Sequence, residues 1–222
     1  MIRPFIKWAG GKSRVLPDLL PHLPKADCLI EPFVGGASVF LATEYRRYVL
    51  ADINPDLINL YREVTRYPDL VIDAARELFN SKNSPQGYNE VRAAFNKQVG
   101  TVKSGGLRYG AEMACIMRAA QFLYLNRHGY NGLCRYSRKT GFKCLLASIR
   151  ASTFLKMKSA CLPKRPTIRR QYFFARRSSV LYRSSRVAMF SFTAIRLTCL
   201  KAKQPILPNT TPNHSQKTTT AS

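Results

Sequence analysis

The sequence predicts an α/β fold with a parallel sheet, followed by an ending of a different kind. An apolar run at residues 28–31, a turn at residues 32–36 and a helical pattern at residues 37–45 precede a second apolar run at residues 48–52. Strand, glycine turn, helix and strand in this order are typical of a βαβ unit. All 12 acidic residues lie at or before Glu112, so the composition changes after that point.

Further helical patterns follow the second strand. Asn54 and Pro55 predict the start of a helix, because proline is well tolerated in a first helical turn. Residues 69–79 predict another helix, and residues 81–87 predict a polar loop. Residues 111–126 predict a strong amphipathic helix. Its apolar positions include Met113, Met117, Phe122 and Leu125.

Charge is distributed unevenly along the chain, whose formal net charge is +24. Residues 1–142 hold 20 basic and 12 acidic residues, a net charge of +8, whereas residues 143–222 hold 16 Lys and Arg without a carboxylate. A basic excess on a folded domain suits a polyanionic partner, although a solvated face without a partner has the same composition. From residue 205 onward the chain has little to bury, which predicts disorder.

The cysteines and the apolar runs exclude several classes of protein. No two of the six cysteines form a Cys-x-x-Cys pair, and the three histidines do not cluster near them, so no metal site is expected. No run reaches the length of a membrane span, and Lys7 and Lys12 interrupt any apolar signal core. We therefore expect a cytoplasmic protein with reduced thiols, acting as a monomer.

The turn after the first strand is the nucleotide-binding position of a doubly wound sheet. Gly35 and Gly36 lack side chains, so a ligand can approach the backbone there. Asp52 closes the next strand, 21 residues after Glu31, where a carboxylate commonly accepts hydrogen bonds from ribose hydroxyls. A Gly-Gly turn before a helix also occurs as plain structure, so this pattern alone leaves both interpretations open.

Four motifs together resemble one enzyme family. They are Lys-Trp-Ala-Gly-Gly-Lys at residues 7–12, Glu-Pro-Phe-Val-Gly-Gly at 31–36, Ala-Asp-Ile-Asn-Pro-Asp at 51–56 and the run at 123–136. In this order and spacing the first three resemble the Dam family, or D12 class, of DNA adenine-N6 methyltransferases. The fourth is similar to the DNA-recognition hairpin of that family. The resemblance extends from Ile2 to about residue 142.

The resemblance implies S-adenosylmethionine as the cofactor. It also implies a partial Rossmann-like methyltransferase sheet with a helical DNA-recognition insert. Trp8 and Lys12 would close over the cofactor, and Phe33 and Gly35 would line its pocket. Asp52 would hold its ribose.

The resemblance further implies double-stranded DNA as the partner, with GATC as the usual target. Lys7 and Arg135 match positions that read guanine edges, and Leu133 is compatible with the same target. Tyr130 and Asn131 match positions that enter the base stack as the target adenine leaves it. Because Asn-Gly is also a strong turn dipeptide, an ordinary turn is the alternative for these two residues.

The catalytic motif of that family is missing from this sequence. The family grips the target amine with an Asp-Pro-Pro-Tyr loop, whereas this chain has no such tetrapeptide and no aspartate after Asp73. A one-base frame slip would explain this. Codons back-read from residues 153–159 then admit Tyr-Phe-Pro-Glu-Asp-Glu-Ile, and those of residues 191–198 admit Phe-Tyr-Cys-Asp-Pro-Pro-Tyr. The alternative is a true basic tail for nucleic acid.

These observations predict three regions. We expect a cofactor-binding α/β part at residues 1–66, a helical DNA-recognition region at 67–142 and a basic, out-of-frame or disordered tail at 143–222. No catalytic residue is expected, so the chain is predicted to be a truncated, inactive DNA adenine methyltransferase, with little sheet after Phe142. The alternatives are a non-catalytic DNA- or cofactor-binding remnant and a basic nucleic-acid-binding protein.

Overall fold

Four stretches of the chain are described by the structure, which is a computed structural model. They are residues 3–98, 109–137, 139–147 and 170–175. The two segments with back-read codons, residues 153–159 and 191–198, lie outside the described residues. The disorder predicted after residue 205 also lies outside them.

A three-stranded parallel sheet is present, with β1 at Cys28–Glu31, β2 at Arg47–Asp52 and β5 at Arg170–Ala175. β2 lies in the middle, between β1 and β5. The register of the first pair runs from Cys28 opposite Arg47 to Glu31 opposite Leu50. Parallel strands joined through helices confirm the predicted α/β class.

β5 differs from what the sequence predicted. We expected little sheet after Phe142, yet Arg170–Ala175 pairs with the full length of β2. The expectation is therefore wrong at this strand. Tyr172, Phe173 and Phe174 have high β-propensity, a local signal that the argument from the frame slip and the charge composition did not use.

Six helices are described. They are α1 at Leu16–Leu19, α2 at Ser38–Ala42, α3 at Pro55–Arg66, α4 at Pro68–Ser81, α5 at Pro85–Lys97 and α6 at Tyr109–His128. Of these, α3 contacts β2 and β5, and α3, α4 and α5 pack on α6. Short 3-10 turns cover Lys12–Arg14, Leu20–His22 and Tyr130–Gly132. None of these described helices is both long and apolar enough to cross a membrane.

Two helices begin with the same capping arrangement. The Asn54 side chain accepts hydrogen bonds from the backbone N–H groups of Asp56 and Leu57 at 3.0 and 3.2 Å. Ser84 accepts one from Gly87 at 3.0 Å, and each cap is followed by a proline. The predicted start of α3 is therefore confirmed. α5 was not predicted, although Ser-Pro gave the same signal within the expected polar loop.

α6 lies at the centre of the helical layer. Residues 118–126 are buried without exception, whereas Met113 and Met117 are exposed. The prediction of a strong amphipathic helix is therefore wrong. α3, α4 and α5 all contact α6, so its central turns are covered on several sides, as is typical of a buried helix.

A short antiparallel hairpin follows α6, with β3 at Tyr136–Ser137 and β4 at Gly141–Phe142. The buried Phe142 ring contacts the Tyr136 ring at 5.5 Å and the Phe95 ring of α5 at 5.6 Å, both edge-on. The packed chain continues beyond β4, because Cys144 is buried and Ala147 donates a backbone hydrogen bond to His128. The hairpin is thus fixed to the helical layer.

Candidate functional site

The carboxyl ends of β1 and β2 meet at one edge of the sheet, where the predicted cofactor residues lie. Glu31 ends β1 and Asp52 ends β2. The backbone then turns sharply, and Val34 donates a hydrogen bond to the Ala51 carbonyl at 2.8 Å. This edge is where ligands bind in open α/β sheets.

Two backbone groups orient the Asp52 carboxylate. Gly35 N–H donates to Asp52 Oδ2 at 3.1 Å, and Asn54 N–H donates to Asp52 Oδ1 at 3.0 Å. Asp52 is 8% exposed. Because an ionised carboxylate offers about four lone-pair sites, each oxygen keeps acceptor capacity for a ligand hydroxyl.

Gly35 permits a close crossing of two segments. Its φ is +48°, and a Cβ atom at this position would lie 2.9 Å from Trp8 Cδ1. The Gly35 carbonyl accepts a hydrogen bond from the Tyr61 hydroxyl at 2.6 Å. Burial raises the pKa of Tyr61 well above its ordinary value, so the phenol remains a donor. The glycine therefore lets the indole lie against a firmly held turn.

A buried ion pair connects the Lys12 turn to β1. Lys12 Nζ lies 3.1 Å from Glu31 Oε1 and also donates to the Phe33 carbonyl. Glu31 is 1% exposed, and its burial outweighs the Lys12 charge and raises the pKa of Glu31. By distance and angle Glu31 Oε2 accepts no hydrogen bond from the described residues, although the nearby Phe40 backbone N–H partly opposes the rise in the pKa of Glu31. The turn thus keeps a spare acceptor, which suits a cationic ligand group.

A cavity of about 960 Å³ opens between the strand ends and the hairpin. Trp8, Asp52 and Ile53 line one side, and Phe95 and Tyr136 line the other. Its volume is within the range of small-molecule sites, which are mostly apolar with a few polar groups. The arrangement can therefore hold a nucleoside-sized ligand against the Asp52 carboxylate.

The predicted cofactor residues divide between this cavity and the adjacent turn. Trp8 and Asp52 line the cavity together. Lys12, Phe33 and Gly35 do not line it, and their contacts with one another and with Trp8 and Asp52 hold the turn after β1. All five residues therefore belong to one end of the sheet.

The predicted DNA-binding residues follow α6 on a single loop. The Tyr130 side chain is 58% exposed, and Asn131 and Arg135 are also exposed. Asn131 adopts a left-handed conformation with φ of +51°, which agrees with the alternative interpretation as a turn residue. Leu133 is half-buried and packs against the core, so it anchors the loop.

Asn126, which was given no role from the sequence, brings Lys7 to this loop. Lys7 N–H donates to Asn126 Oδ1 at 3.1 Å, and Asn126 Nδ2 donates to the Lys7 carbonyl at 2.7 Å. The same Nδ2 donates to the Gly132 carbonyl at 2.9 Å. The signal available from the sequence was an asparagine at the end of a largely apolar helical run, because an amide buried there needs hydrogen-bond partners.

A second unpredicted cluster joins the start of α3, beside this edge of the sheet, to the hairpin. Arg118 Nε of α6 lies 2.7 Å from Asp56 Oδ1, and the Tyr136 hydroxyl donates to Asp56 Oδ2 at 2.8 Å. Arg118 and Asp56 are both buried. Tyr136 is 46% exposed, but desolvation of its hydroxyl, together with the Asp56 charge, raises the pKa of Tyr136, so the hydroxyl keeps its proton. This cluster fixes β3 against the start of α3.

The described residues contain no cluster of three or more His, Cys, Asp or Glu side chains that could hold a metal ion. The Asp-Pro-Pro-Tyr motif is absent from the whole sequence. The arrangement therefore offers groups that can bind a nucleoside, and it also presents a basic loop. It lacks the Asp-Pro-Pro-Tyr motif that would bind a target amine.

Comparison with known proteins identifies one family. The model of the D12 class N6 adenine-specific DNA methyltransferase family matches residues 8–150. A DNA adenine methylase of Escherichia coli strain K12 is 49% identical over 141 residues, which are 63% of this chain and 46% of that protein.

Other relatives give the same result. The Retron Ec67 DNA adenine methylase of Escherichia coli is 43% identical over 137 residues, or 62% of this chain and 44% of the relative. A DNA adenine methylase of Vibrio cholerae strain N16961 is 42% identical over 153 residues, which are 68% of this chain and 50% of that protein. The chain thus spans about half the length of the curated relatives it matches.

Proposed function

This chain belongs to the D12 class N6 adenine-specific DNA methyltransferase family, and on that premise we propose that it binds S-adenosylmethionine and double-stranded DNA without transferring a methyl group. Cofactor binding belongs to residues 1–66 and DNA recognition to residues 67–142. The family match supports both assignments. In this proposal the basic ending at residues 143–222 is frame-slipped after residue 150, where the family match ends.

The residues at the sheet edge fit the cofactor. S-adenosylmethionine carries ribose hydroxyls, an ammonium group and a sulfonium whose methyl group it supplies when bound. Asp52 has acceptor capacity for the hydroxyls, and the buried Glu31 Oε2 has capacity for a cationic group. Trp8 lines the cavity, and Phe33 is exposed at the adjacent turn. Lys12 holds that turn through Glu31 and the Phe33 carbonyl. Gly35 leaves room for the indole.

The recognition loop fits duplex DNA with a GATC-type target. Lys7 and Arg135 are exposed basic side chains, the type that reads guanine edges. Tyr130 and Asn131 project at the loop tip, where a ring and an amide can replace a flipped adenine in the stack. Leu133 supports the loop from below. In this proposal the chain acts in the cytoplasm as a monomer, where DNA is accessible to it.

Methyl transfer is not expected because the grip on the target amine is missing. A bound amine must be oriented toward the methyl group and stabilised as positive charge develops on nitrogen. The resemblance implies that an Asp-Pro-Pro-Tyr loop orients and stabilises the amine in this family. This chain contains no such sequence. Binding without turnover is therefore the expected behaviour.

The observation that carries the proposal is the Asp52 carboxylate, held by two backbone N–H groups on the wall of a nucleoside-sized cavity. Calorimetric titration with S-adenosylmethionine tests it. We expect binding by the wild type and at least about 10-fold weaker binding by Asp52→Asn, because a hydrogen bond to a charged group contributes about 1.5–3 kcal/mol.

Asp69→Asn is the matched control, since Asp69 is an exposed carboxylate on α4. It should bind the cofactor like the wild type. Absence of binding by the folded wild type would overturn the cofactor assignment. Transfer of labelled methyl groups from S-adenosylmethionine to duplex DNA would overturn the assignment as inactive.

A further inference from the structure

The Asn126 side chain links two segments that are far apart in sequence. It is completely buried near the end of α6, and its hydrogen bonds reach Lys7, 119 residues earlier, and Gly132, six residues later. Both segments carry residues that the proposed function assigns to DNA. Asn126 itself is too deeply buried to touch DNA.

Both the oxygen and the nitrogen of the Asn126 amide form hydrogen bonds with the backbone of Lys7. Oδ1 accepts from Lys7 N–H at 3.1 Å while Nδ2 donates to the Lys7 carbonyl at 2.7 Å. Nδ2 also donates to the Gly132 carbonyl at 2.9 Å and lies 3.6 Å from Cys134 Sγ. A primary amide has the donors and the acceptor that these backbone groups require.

The two backbones are also in direct contact. Gly132 has φ of +68°, and a Cβ atom there would lie 2.4 Å from Lys7 Cβ and 2.7 Å from the Lys7 carbonyl oxygen. No side chain or water fits between the two segments at this point. The distance between Lys7 and the loop is therefore fixed by van der Waals contact as well as by the amide.

The segment before Lys7 is held independently. Arg127 Nη1 donates to the Phe5 carbonyl at 3.4 Å, and the buried Phe5 ring meets the Tyr61 ring edge-on at 5.9 Å. These contacts keep the segment on the protein body without setting the orientation of Lys7. The Asn126 amide, by contrast, hydrogen-bonds to the backbone of Lys7 itself.

Resting on the function proposed above, we propose that Asn126 is a positioning residue that determines DNA sequence specificity. It holds Lys7 and the loop at residues 130–135 as one unit, so that Lys7 and Arg135 approach the outer base pairs of the target at a fixed separation. Loss of the amide should therefore reduce discrimination between sequences more than it reduces overall attraction to DNA.

The test compares two 20-base-pair duplexes, one with a central GATC and one with its outer G·C pairs inverted. We expect the wild type to bind the GATC duplex at least about 30-fold more tightly, because two base pairs are changed and each costs about 1–3 kcal/mol. Asn126→Ala should reduce this ratio to about 2-fold or less. The salt dependence of DNA binding by Asn126→Ala should equal that of the wild type, because the number of phosphate contacts is unchanged. A merely structural role would not produce this split.

Asn59→Ala is the matched control. Asn59 is an equally buried asparagine on α3, and its amide donates to the Cys115 carbonyl at 2.9 Å, away from Lys7 and the loop. It should keep the wild-type ratio. In the Lys7→Ala background, Asn126→Ala should cause no further loss of discrimination if it acts through Lys7.

A folding defect is checked by thermal melting, and Asn126→Ser, which keeps one small polar group, replaces Asn126→Ala if the latter unfolds. Hydrogen exchange of the wild type provides a measurement without a variant. The Lys7 amide should be protected, and rapid exchange there would overturn the inference. A wild type that binds both duplexes equally would overturn the DNA assignment and this inference together. Discrimination by the wild type that the Asn126 variants retain would overturn this inference alone.

Discussion

We propose cofactor binding for the turn at residues 32–36, the cofactor turn, and DNA recognition for the loop at residues 130–135, the recognition loop. Each depends on a glycine with positive φ, but the two glycines face different neighbours. A Cβ atom at Gly35 would meet an edge atom of the Trp8 ring at 2.9 Å. A Cβ atom at Gly132 would meet Lys7 Cβ and the Lys7 backbone at 2.4 and 2.7 Å. A ring can rotate away, whereas a hydrogen-bonded backbone cannot, so the recognition loop is the more rigid of the two regions.

The two regions also differ in how they use charge. At the cofactor turn, Glu31 keeps an oxygen without a hydrogen-bond partner among the described residues, although Lys12 is adjacent. At the hairpin, both oxygens of Asp56 are used, by Arg118 and Tyr136. Spare acceptors are suited to binding a ligand, whereas a fully used ion pair is suited to holding two elements together.

The largest expected effect is on this fully used ion pair, which connects the two regions. Asp56→Ala should lower the free energy of unfolding by about 3–5 kcal/mol, because it leaves the buried Arg118 guanidinium without its carboxylate. Urea unfolding followed by circular dichroism measures this. Asp27→Ala, which removes an exposed carboxylate paired with Arg46 and Arg47, should leave the midpoint nearly unchanged. Equal effects of the two variants would contradict the assigned role of Asp56.

The difference between the two glycines gives the next largest effect. Gly132→Ala should cost about 2–4 kcal/mol, because the strained φ adds to a contact with backbone that cannot move. Gly35→Ala should cost about 1–2 kcal/mol, mainly from φ, while displacement of the Trp8 ring weakens cofactor binding. Thermal unfolding with cofactor titration compares them. A more costly Gly35→Ala would reverse the ranking of the two regions.

The cofactor end was largely predictable from sequence because its signals are local. A glycine turn after one strand and an aspartate closing the next placed Gly35 and Asp52, and the Asn54–Pro55 cap placed the start of α3. Each of these residues acts on neighbours that lie close in the chain or at the same sheet edge.

The contacts that hold the recognition region could not be predicted in this way. Asn126 reaches Lys7 across 119 residues, and Arg118 reaches Asp56 across 62 residues. Nothing in the local pattern of α6 names these partners. The same limit explains the error over Met113 and Met117, since the number of helices that cover α6 is a property of tertiary packing.

A smaller effect separates two similar helix caps. Asn54→Ala and Ser84→Ala should each cost about 1 kcal/mol, the usual contribution of an N-cap. Only Asn54→Ala should also weaken cofactor binding. Alanine keeps the backbone N–H that holds Asp52 Oδ1, but without the side-chain cap this turn on the cavity wall is less firmly held. Calorimetry of both variants measures the contrast. Equal cofactor affinities would show that the cap does not contribute to the orientation of Asp52.

The smallest effect concerns pH at the recognition end of α6. Burial lowers the pKa of His128 from 6.5, and its Nδ1 lies 3.0 Å from the Tyr124 carbonyl, so the neutral ring donates there. Arg127 and Lys7 oppose its protonation further. Below pH 6.5 the unfolded chain therefore binds a proton more readily than the folded chain.

The His128 contribution to stability is accordingly complete above pH 6.5 and decreases as the pH falls through the lowered pKa, by at most about 1.4 kcal/mol per pH unit. The substitution His128→Asn supplies an amide donor that does not titrate. The difference in unfolding free energy between wild type and variant should shrink as the pH falls from 7 to 5. A constant difference would mean that this histidine titrates equally in the folded and unfolded states, which would contradict its burial at the end of α6.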